Sequence, residues 1–421
     1  LKYSRPRGTQ DILPPDVYVW RRVEGAFEAT FEKYGYEPVR TPIFEHTDVF
    51  LRSVGEATDI VSKEMYTFTD RGGRSLTLRP ENTAAVIRAY LENGLHRTGG
   101  VTRLSYIGPM FRYDRPQAGR YRQFHQVGLE AIGSASAVLD AEVIDVIIRA
   151  LEALDFTGLT VKLNSVGCAA CRKPYTGVLR SELVRLRGKL CEDCIGRTET
   201  NPMRVFDCKR CENVKDELPA ISSHLCAACA EHFDEVKGHL DALGRGYEVD
   251  PRLVRGLDYY TRTTFEVLHG SLGAQNALCG GGRYDNLVEQ CGGPPTPAVG
   301  FSAGIERIIS VLPDASAARA GGGSKPDFYV VCVDEESARR ATVVARDLRK
   351  VGSVELDASM RALKTQLKQA EKRGARFAVI VESESPGRVK CKDMARREQV
   401  EVQDDRIIEY AGKALTGAQG G

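Results

Sequence analysis

The densest run of chemically useful side chains is GPMFRYDRPQAGRYRQFHQVGLEAIG, residues 108–133. Two strand-like runs flank a loop that carries Arg115, Arg120 and Arg122. Alternate residues of a strand share a face. Phe124, Gln126, Gly128 and Glu130 therefore line one side, while Val127 and Leu129 point the other way, toward a core. An aromatic ring, an amide, a glycine and a carboxylate make a poor core and a good wall for a polar ligand. Arg112, at the end of the first run, presents a planar fork of donors suited to phosphate or carboxylate. A solvated hairpin with cross-strand pairs is the plainer alternative.

Four other segments carry groups of the same kind. LRPENTAA (78–85) places Arg79, Glu81, Asn82 and Thr83 where a strand gives way to a helix. Its plain alternative is a turn with Asn82 or Thr83 capping the helix. LVRGLDYYTRTTFEVL (253–268) sets Arg255, Asp258, Tyr259 and Tyr260 just before a strand. CGGGRYDNLV (279–288) offers three glycines and Tyr284 before a helix. It lacks the Lys-Ser/Thr ending of a P-loop, so a tight turn with close helix packing is its plain reading. GFSAGIERI (300–308) puts Arg307 at the start of a helix expected over 303–312.

Eight of the twelve cysteines fall in four CxxC pairs: Cys168/Cys171, Cys191/Cys194, Cys208/Cys211 and Cys226/Cys229. Two pairs make one four-cysteine zinc site, so four pairs make two. Three pairings are possible, and spacing does not choose among them. Free thiols and disulfides are the alternatives. Between the pairs the chain is basic, with 11 Lys and Arg against 6 Asp and Glu over 172–215. Cys279, Cys291, Cys332 and Cys391 lack the pattern and read as packing residues.

The rest of the chain must position these groups. Its 421 residues suggest two or three domains. A net charge of +2 gives no global pull toward nucleic acid or membrane, and 42% hydrophobic with 28% charged residues excludes a disordered chain. No apolar run approaches the length of a membrane span. The opening LKYSRPRGTQ has no signal-peptide stretch. A helix is expected from Asp16 to Tyr34, strands follow in YEPVRTPIF and SLTLRP, and a helix spans about 137–154. Residues 315–326, ASAARAGGGSKP, read as a flexible linker. Beyond it DFYVVCV, SVELD and RFAVIVES alternate with two helical runs, which indicates a small α/β domain with a largely parallel sheet.

Taken in order, these pieces resemble the class II aminoacyl-tRNA synthetases, and within them the histidyl-tRNA synthetase family. RGTQDILPP is similar to that family's opening. VRTPIFE carries Pro42 of the class's first, dimer-interface motif. LRPENTA with the 111–133 hairpin resembles the second motif and VGFSAGIERI the third. LVRGLDYYTRTTFE and GGGRYDNLVEQCGG resemble the two histidine-specific motifs. The likeness spans about 1–315 and, more loosely, the C-terminal domain. It implies an α+β catalytic domain, an antiparallel sheet flanked by helices, over 1–164 and 246–314. A Cys-rich domain is inserted at 165–245, and an anticodon-binding α/β domain occupies 327–421.

The resemblance also implies roles. ATP and L-histidine would give histidyl-adenylate and pyrophosphate with Mg²⁺ assisting, and the histidyl group would pass to the 3′ end of tRNA(His). Arg112 would hold the α-phosphate and the attacking carboxylate. Arg307 would reach the γ-phosphate and lie on the adenine, and Phe124 would stack its other face. Arg255 would be an extra cation beside the carboxylate and α-phosphate. Glu81, Thr83 and Gln126 would bind the α-ammonium group, with Asn82 in the same motif where the family commonly has Gly. Glu130 and Tyr260 would contact the two imidazole nitrogens, with Tyr259 and Tyr284 completing the pocket. The loop at 115–122 would meet the tRNA acceptor end. A cytoplasmic homodimer is expected. Zinc is not a general property of the family and rests on the cysteine spacing alone. The rival is a synthetase-like regulatory subunit of histidine biosynthesis. Such paralogues lose catalytic motifs and the anticodon domain, whereas Arg112, Arg255, Arg307 and a full C-terminal segment are present here.

Overall fold

Two paired ten-residue strands, Thr102–Phe111 and Gln123–Ile132, organise the fold. The computed structural model describes residues 3–54, 58, 60–114, 120–275, 277–321, 323 and 325–417. It divides into two compact units, Leu1–Arg319 and Ala320–Gly421.

The first unit contains strands β1 Glu37–Pro38, β2 Phe44–His46, β3 Tyr66–Thr69, β4 Ser75–Leu78, β5 Thr102–Phe111, β6 Gln123–Ile132, β7 Leu159–Ser165, β8 Glu248–Val249, β9 Thr261–His269, β10 Ala277–Arg283 and β11 Ala298–Gly304. Eight of them form one sheet in the order β1-β5-β6-β11-β10-β9-β7-β8. The pairings from β5 through β7 are all antiparallel, and only the edge strands β1 and β8 join in parallel. A three-stranded sheet β2-β4-β3 stands apart from it.

One face of the large sheet is apolar. Val127 and Leu129 of β6, Phe265 and Val267 of β9, and Val299 and Phe301 of β11 are buried there with Val23, Phe27, Ile144 and Ile147. The last four belong to helices Asp16–Lys33 and Ala137–Glu152. Ser136 caps the second helix by accepting the Val138 N–H at 3.3 Å. The opposite face keeps its polar side chains, as the alternation in β6 required. That leaves the second face free to build a site.

An ion pair ties the end of β10 to the second helix. Arg283 and Asp140 are both fully buried. The guanidinium also donates to the Ser134 and Ser136 carbonyls at 2.9 and 3.1 Å and to Asp285 at 3.0 Å. Removing one partner of such a pair strands a buried charge. Asp140→Ala is therefore expected to destabilise the first unit by about 3–5 kcal/mol, read by denaturant unfolding. A loss well under about 1 kcal/mol would show that the pair is dispensable.

The Cys-rich stretch lies within the first unit. Its last helix, Ala227–Ala242, sends Phe233, Val236 and Leu240 into the main core. Its other apolar residues, among them Leu179, Val205, Phe206 and Val214, share a second core with Tyr106, Tyr259, Tyr260 and Tyr284. The stretch and the polar face of the sheet therefore share one apolar core.

Three local expectations are corrected. The helix expected over 303–312 spans only Ile305–Ser310, because Ala303 and Gly304 are still paired to Val127 and Gln126 as the end of β11. The glycines of CGGGR form no tight turn; they are the middle of β10. The expected flexible linker at 315–326 opens with a helix, Ala315–Gly321, whose Arg319 pairs with Asp16 at 2.7 Å.

In the second unit, β12 Phe328–Cys332, β13 Val354–Leu356, β14 Phe377–Val381, β15 Arg388–Asp393 and β16 Gln399–Gln403 form a sheet in the order β13-β12-β14-β15-β16. Helices Glu335–Leu348 and Leu363–Arg373 cross between the parallel strands. The first starts at a capping box made by Asp334 and Ser337. The expectation of a largely parallel sheet holds for β13-β12-β14; β15 and β16 add an antiparallel hairpin.

Candidate active site

The polar face of the large sheet gathers most of the residues singled out in the sequence. β5 and β6 pair so that Met110 faces Phe124 and Tyr106 faces Gly128. Arg112 follows β5 directly. Its Nε donates to the Pro80 carbonyl at 2.8 Å, and its guanidinium lies 5.3 Å from the Phe124 ring centre. Burial lowers its pKa, and Glu64 and Glu81 pull the other way.

Glu81 opens the helix Thr83–Glu92. Its carboxylate accepts the Thr83 and Ala84 N–H groups at 2.7 and 3.0 Å. The cap expected from Asn82 or Thr83 is thus supplied by Glu81. Asn82 is right-handed, with φ −112°, a conformation that does not require the Gly common at this position in the family. Its Oδ1 accepts from Thr41 at 2.7 Å and from Arg79 at 3.1 Å. That turns its side chain toward Arg79 and Thr41, not toward Glu130.

Glu130 sits at the centre of a buried polar group. One oxygen accepts from Thr83 Oγ1 at 2.7 Å and from Tyr106 OH at 3.4 Å, and the other accepts from Tyr284 OH. Burial pushes its carboxyl up to about 8, against the pull of the Tyr284 and Thr83 hydrogen bonds. Tyr259 packs against both Tyr260 and Tyr284, with ring centres 4.8 and 5.6 Å apart. Gln126 donates to Ser302 Oγ at 3.3 Å, while its amide oxygen is buried with no partner among the described residues. Space for the carboxylate comes from Gly300 on β11: a Cβ there would stand 2.0 Å from Glu130 Oε2.

Arg255 and Arg307 enter from two other segments. Arg255 pairs with Glu266 of β9. Gly280, opposite Glu266 across the β9–β10 ladder, makes the room: its Cβ would fall 1.9 Å from Arg255 Nη2. Arg307 donates to the Ala277 carbonyl at 3.0 Å. Burial lowers its pKa, and Arg120, Arg255 and Arg112 lower it further. Four arginines from three segments thus crowd one side of the site, with Glu266 among them. Such crowding destabilises the site unless an anion arrives, and it suits a polyphosphate. Asp114 pairs with Arg120 at 3.0 Å, and Arg122 lies over the Tyr113 ring at 4.0 Å. Arg115 falls outside the described residues.

Sequence reading missed Glu266 and Tyr106, and it gave Gly280 and Gly300 no part in making room for Arg255 and Glu130. A signal existed for Glu266: in TTFEVL it interrupts an apolar run between Phe265 and Val267, whose side chains face the core. Beside this region a cleft of about 410 Å³ opens between residues 254–260 and the Cys-rich stretch; it is lined by Arg172, Lys173, Asn201, Arg204, Arg255 and Asp258, among others.

The cysteines form two sets, Cys168/Cys171/Cys226/Cys229 and Cys191/Cys194/Cys208/Cys211, with the ligand atoms in each set within 4.8 Å of one another. The first pair joins the fourth and the second joins the third, which resolves the three pairings left open by spacing. Sulfur separations of 3.7 Å for Cys168–Cys171 and Cys191–Cys208 and 3.9 Å for Cys168–Cys226 exclude disulfides. They match the roughly 3.8 Å edge of a tetrahedron with Zn–S bonds of about 2.3 Å. The Cys191 N–H points at Cys211 Sγ at 3.3 Å and the Cys226 N–H at Cys171 Sγ at 3.1 Å. Both donors would steady a thiolate if the sets held a metal. The four remaining cysteines stand outside both sets.

A family model described as histidyl-tRNA synthetase matches residues 8–308, and one described as an anticodon binding domain matches residues 327–413. A histidine–tRNA ligase of Caldanaerobacter subterraneus subsp. tengcongensis is 47% identical over 407 residues, 96% of this chain and 97% of the relative. One of Solibacter usitatus is 50% identical over 408 residues, 95% and 97% of the two chains. The crystal structure of apo S. aureus histidyl-tRNA synthetase has a TM-score of 0.79 at 36% identity, covering 98% of this chain and 100% of that one. A Bacillus halodurans structure described as an ATP phosphoribosyltransferase regulatory subunit/histidyl-tRNA synthetase has a TM-score of 0.66 at 20% identity, covering 91% and 99%, a likeness of fold alone.

Proposed function

The chain belongs to the histidyl-tRNA synthetase family, and from that premise we infer how its own residues divide the work of the family's reaction. It is a histidine–tRNA ligase. A carboxylate oxygen of L-histidine attacks the α-phosphorus of ATP, and the bond from that phosphorus to pyrophosphate breaks. The 3′-terminal ribose hydroxyl of tRNA(His) then takes the histidyl group from the adenylate and AMP leaves. The nucleophile of the first step is already ionised at neutral pH, so alignment and charge neutralisation are the requirements.

The convergence of Arg112, Arg255 and Arg307 beside the Glu130 pocket carries this assignment. Arg112, fixed by the Pro80 carbonyl, binds the α-phosphate and the attacking carboxylate. Arg255 adds a second cation there. Arg307 binds the γ-phosphate, and the adenine lies between its guanidinium and Phe124. Glu81, Thr83 and Gln126 take the α-ammonium group; the unpartnered Gln126 oxygen is an acceptor aimed at such a donor. Glu130 and Tyr260 take the imidazole nitrogens, and Tyr259 and Tyr284 close the walls. Asn82 supports Arg79 and contributes through the loop it steadies. Mg²⁺ bound with the ATP phosphates would neutralise charge on the phosphoryl oxygens, and one or two carboxylates would suffice to hold it. Glu266, beside Arg255, fits that need.

The two four-cysteine sets hold structural zinc. The donor set, spacing and N–H···S contacts all fit it, and a reducing cytoplasm keeps the thiols available. The second unit reads the anticodon, and the 115–122 loop meets the acceptor end. No helix of the described residues is long and apolar enough to cross a membrane. Phe44 and Phe68 of the small sheet, and Ile43 just before it beside Pro42, are exposed apolar side chains suited to a second copy in a homodimer.

Histidine-dependent ATP–pyrophosphate exchange tests the assignment. The expected result is exchange that requires L-histidine and Mg²⁺. Histidine binding without exchange would instead support the regulatory-subunit reading. Elemental analysis of chelator-washed protein is expected to give about two zinc ions per chain; none, with eight titratable thiols, would refute the metal.

A further inference from the structure

The second cysteine set closes a loop whose tip touches the catalytic segment. Helix Glu192–Thr200 begins at the Cys191/Cys194 pair, and the 3-10 helix Pro202–Asp207 runs directly into Cys208. Between the pairs stand Asn201 and Arg204. Asn201 Nδ2 donates to Asp258 Oδ1 at 2.7 Å. Arg204 Nη1 donates to the Arg255 carbonyl at 3.4 Å and pairs with Asp207 at 3.0 Å. Gly256 allows this approach, since a Cβ there would lie 3.1 Å from Arg204 Nη1. Asn201 and Arg204 therefore grip the two ends of the short segment Arg255–Asp258, which bears the cation of the histidine-specific motif. Both also line the 410 Å³ cleft that opens beside Arg255.

We propose that Arg204 and Asn201 are positioning residues for Arg255, held in place by a metal ion on Cys191, Cys194, Cys208 and Cys211. The proposal rests on the ligase reading and on zinc in that set. Its physical basis is local. Two donors on a strand-free loop can hold a backbone segment only if the loop itself has one conformation. No regular sheet supports residues 195–207; a four-thiolate tether clamps both of their ends. The core residues Val205 and Phe206 anchor the tip, and the tether fixes its register. The Cys168/Cys171/Cys226/Cys229 set brackets the second set in sequence. It ties helix Ala169–Arg185 to helix Ala227–Ala242 and bonds neither Arg255 nor Asp258 in this structure. Among the described residues the first set reaches the segment only through the charge of Arg172 on Asp258, whereas the loop closed by the second set hydrogen-bonds it directly.

The test uses full-length protein as purified. Arg204→Ala is expected to keep the parental zinc content and unfolding temperature, while kcat for ATP–pyrophosphate exchange falls by about 10- to 10²-fold, the scale of a small misplacement of a reacting group. The KM for histidine is expected to move less than kcat, because Glu130 is untouched. Arg204→Lys should recover part of the rate, since one ammonium can still reach the Arg255 carbonyl. Asn201→Ala provides an independent variant, with a smaller fall in kcat. Near-parental kcat in both alanine variants would overturn the positioning role. Parental exchange with no zinc would overturn the metal tether while leaving the ligase reading intact. A parent that binds histidine but shows no exchange would instead sink the ligase reading itself.

Discussion

Arg255→Ala is expected to lower the rate of adenylate formation by about 10²- to 10³-fold, the effect of deleting one preorganised donor from a developing oxyanion. The loss should appear in kcat more than in either KM. The guanidinium is held by Glu266 and sits over the Gly280 backbone, so its position is set before substrate arrives. Preorganisation is what makes such a group valuable: no solvent must reorient when charge builds on the phosphoryl oxygens. Arg255 is also one of the cations that lower the Arg307 pKa. Its removal relieves repulsion in the empty site, so ATP binding should suffer less than the chemical step. Gly280→Ala supplies the matching steric experiment. The added Cβ would fall 1.9 Å from Nη2, which forces the guanidinium off its place while leaving its charge on the protein. The same fall in kcat is expected from both variants. Parental exchange in Arg255→Ala would remove Arg255 from the α-phosphate.

The division between legible and illegible features follows from chemistry at particular positions. The polar face of β6 could be read because strand alternation is rigid: Val127 and Leu129 declare the core, so Phe124, Gln126 and Glu130 must point away. The parallel core of the second unit was legible for a similar reason, since FYVVC and FAVIV are buried on both faces. Its hairpin was not. RVKCKD and QVEVQ carry as many charged and polar residues as a loop does, and nothing local distinguishes them. Glycines failed differently. Gly280 suggests a turn by type, yet it lies in a strand, and both it and Gly300 are needed because Arg255 and Glu130 must occupy the space of a Cβ. That need is created by residues distant in sequence. Arg204 belongs to the same class, one arginine among many in a basic insertion, whose partner is a backbone carbonyl that the chain reaches only after folding. The cysteine pairing was equally non-local: spacing named the ligands, and only the fold could bring the first pair to the fourth.

Glu130→Gln is expected to reduce kcat/KM for histidine by about 10²-fold or more, because a buried hydrogen-bonding site built for one partner tolerates its loss poorly. The pH dependence gives the sharper test. Burial holds the carboxyl proton of the unliganded site up to about 8, while free imidazole loses its proton near about 6.5. The bound pair needs one shared proton. Between about 6.5 and 8 the free partners already carry one proton in total, so binding neither takes up nor releases any. Below that window a proton must leave, and above it one must be taken up. The KM for histidine should therefore be lowest inside the window and rise on both sides, about tenfold per pH unit at the limits. Glu130→Gln should erase the alkaline limb and keep the acid limb, which belongs to the substrate. The same substitution carries a stability signature in the unliganded protein. The folded pKa lies above the ordinary value of 4.5, so the native state binds more protons than the unfolded chain between about 4.5 and 8. Stability from this group is complete below that interval and is lost as pH rises through it. Denaturant unfolding of Glu130→Gln should show a shallower decline with pH than the parent. An unchanged alkaline limb together with an unchanged stability slope would mean that Glu130 does not meet the imidazole, and the polar partner of the substrate ring would have to be sought among Tyr106, Tyr260 and Tyr284.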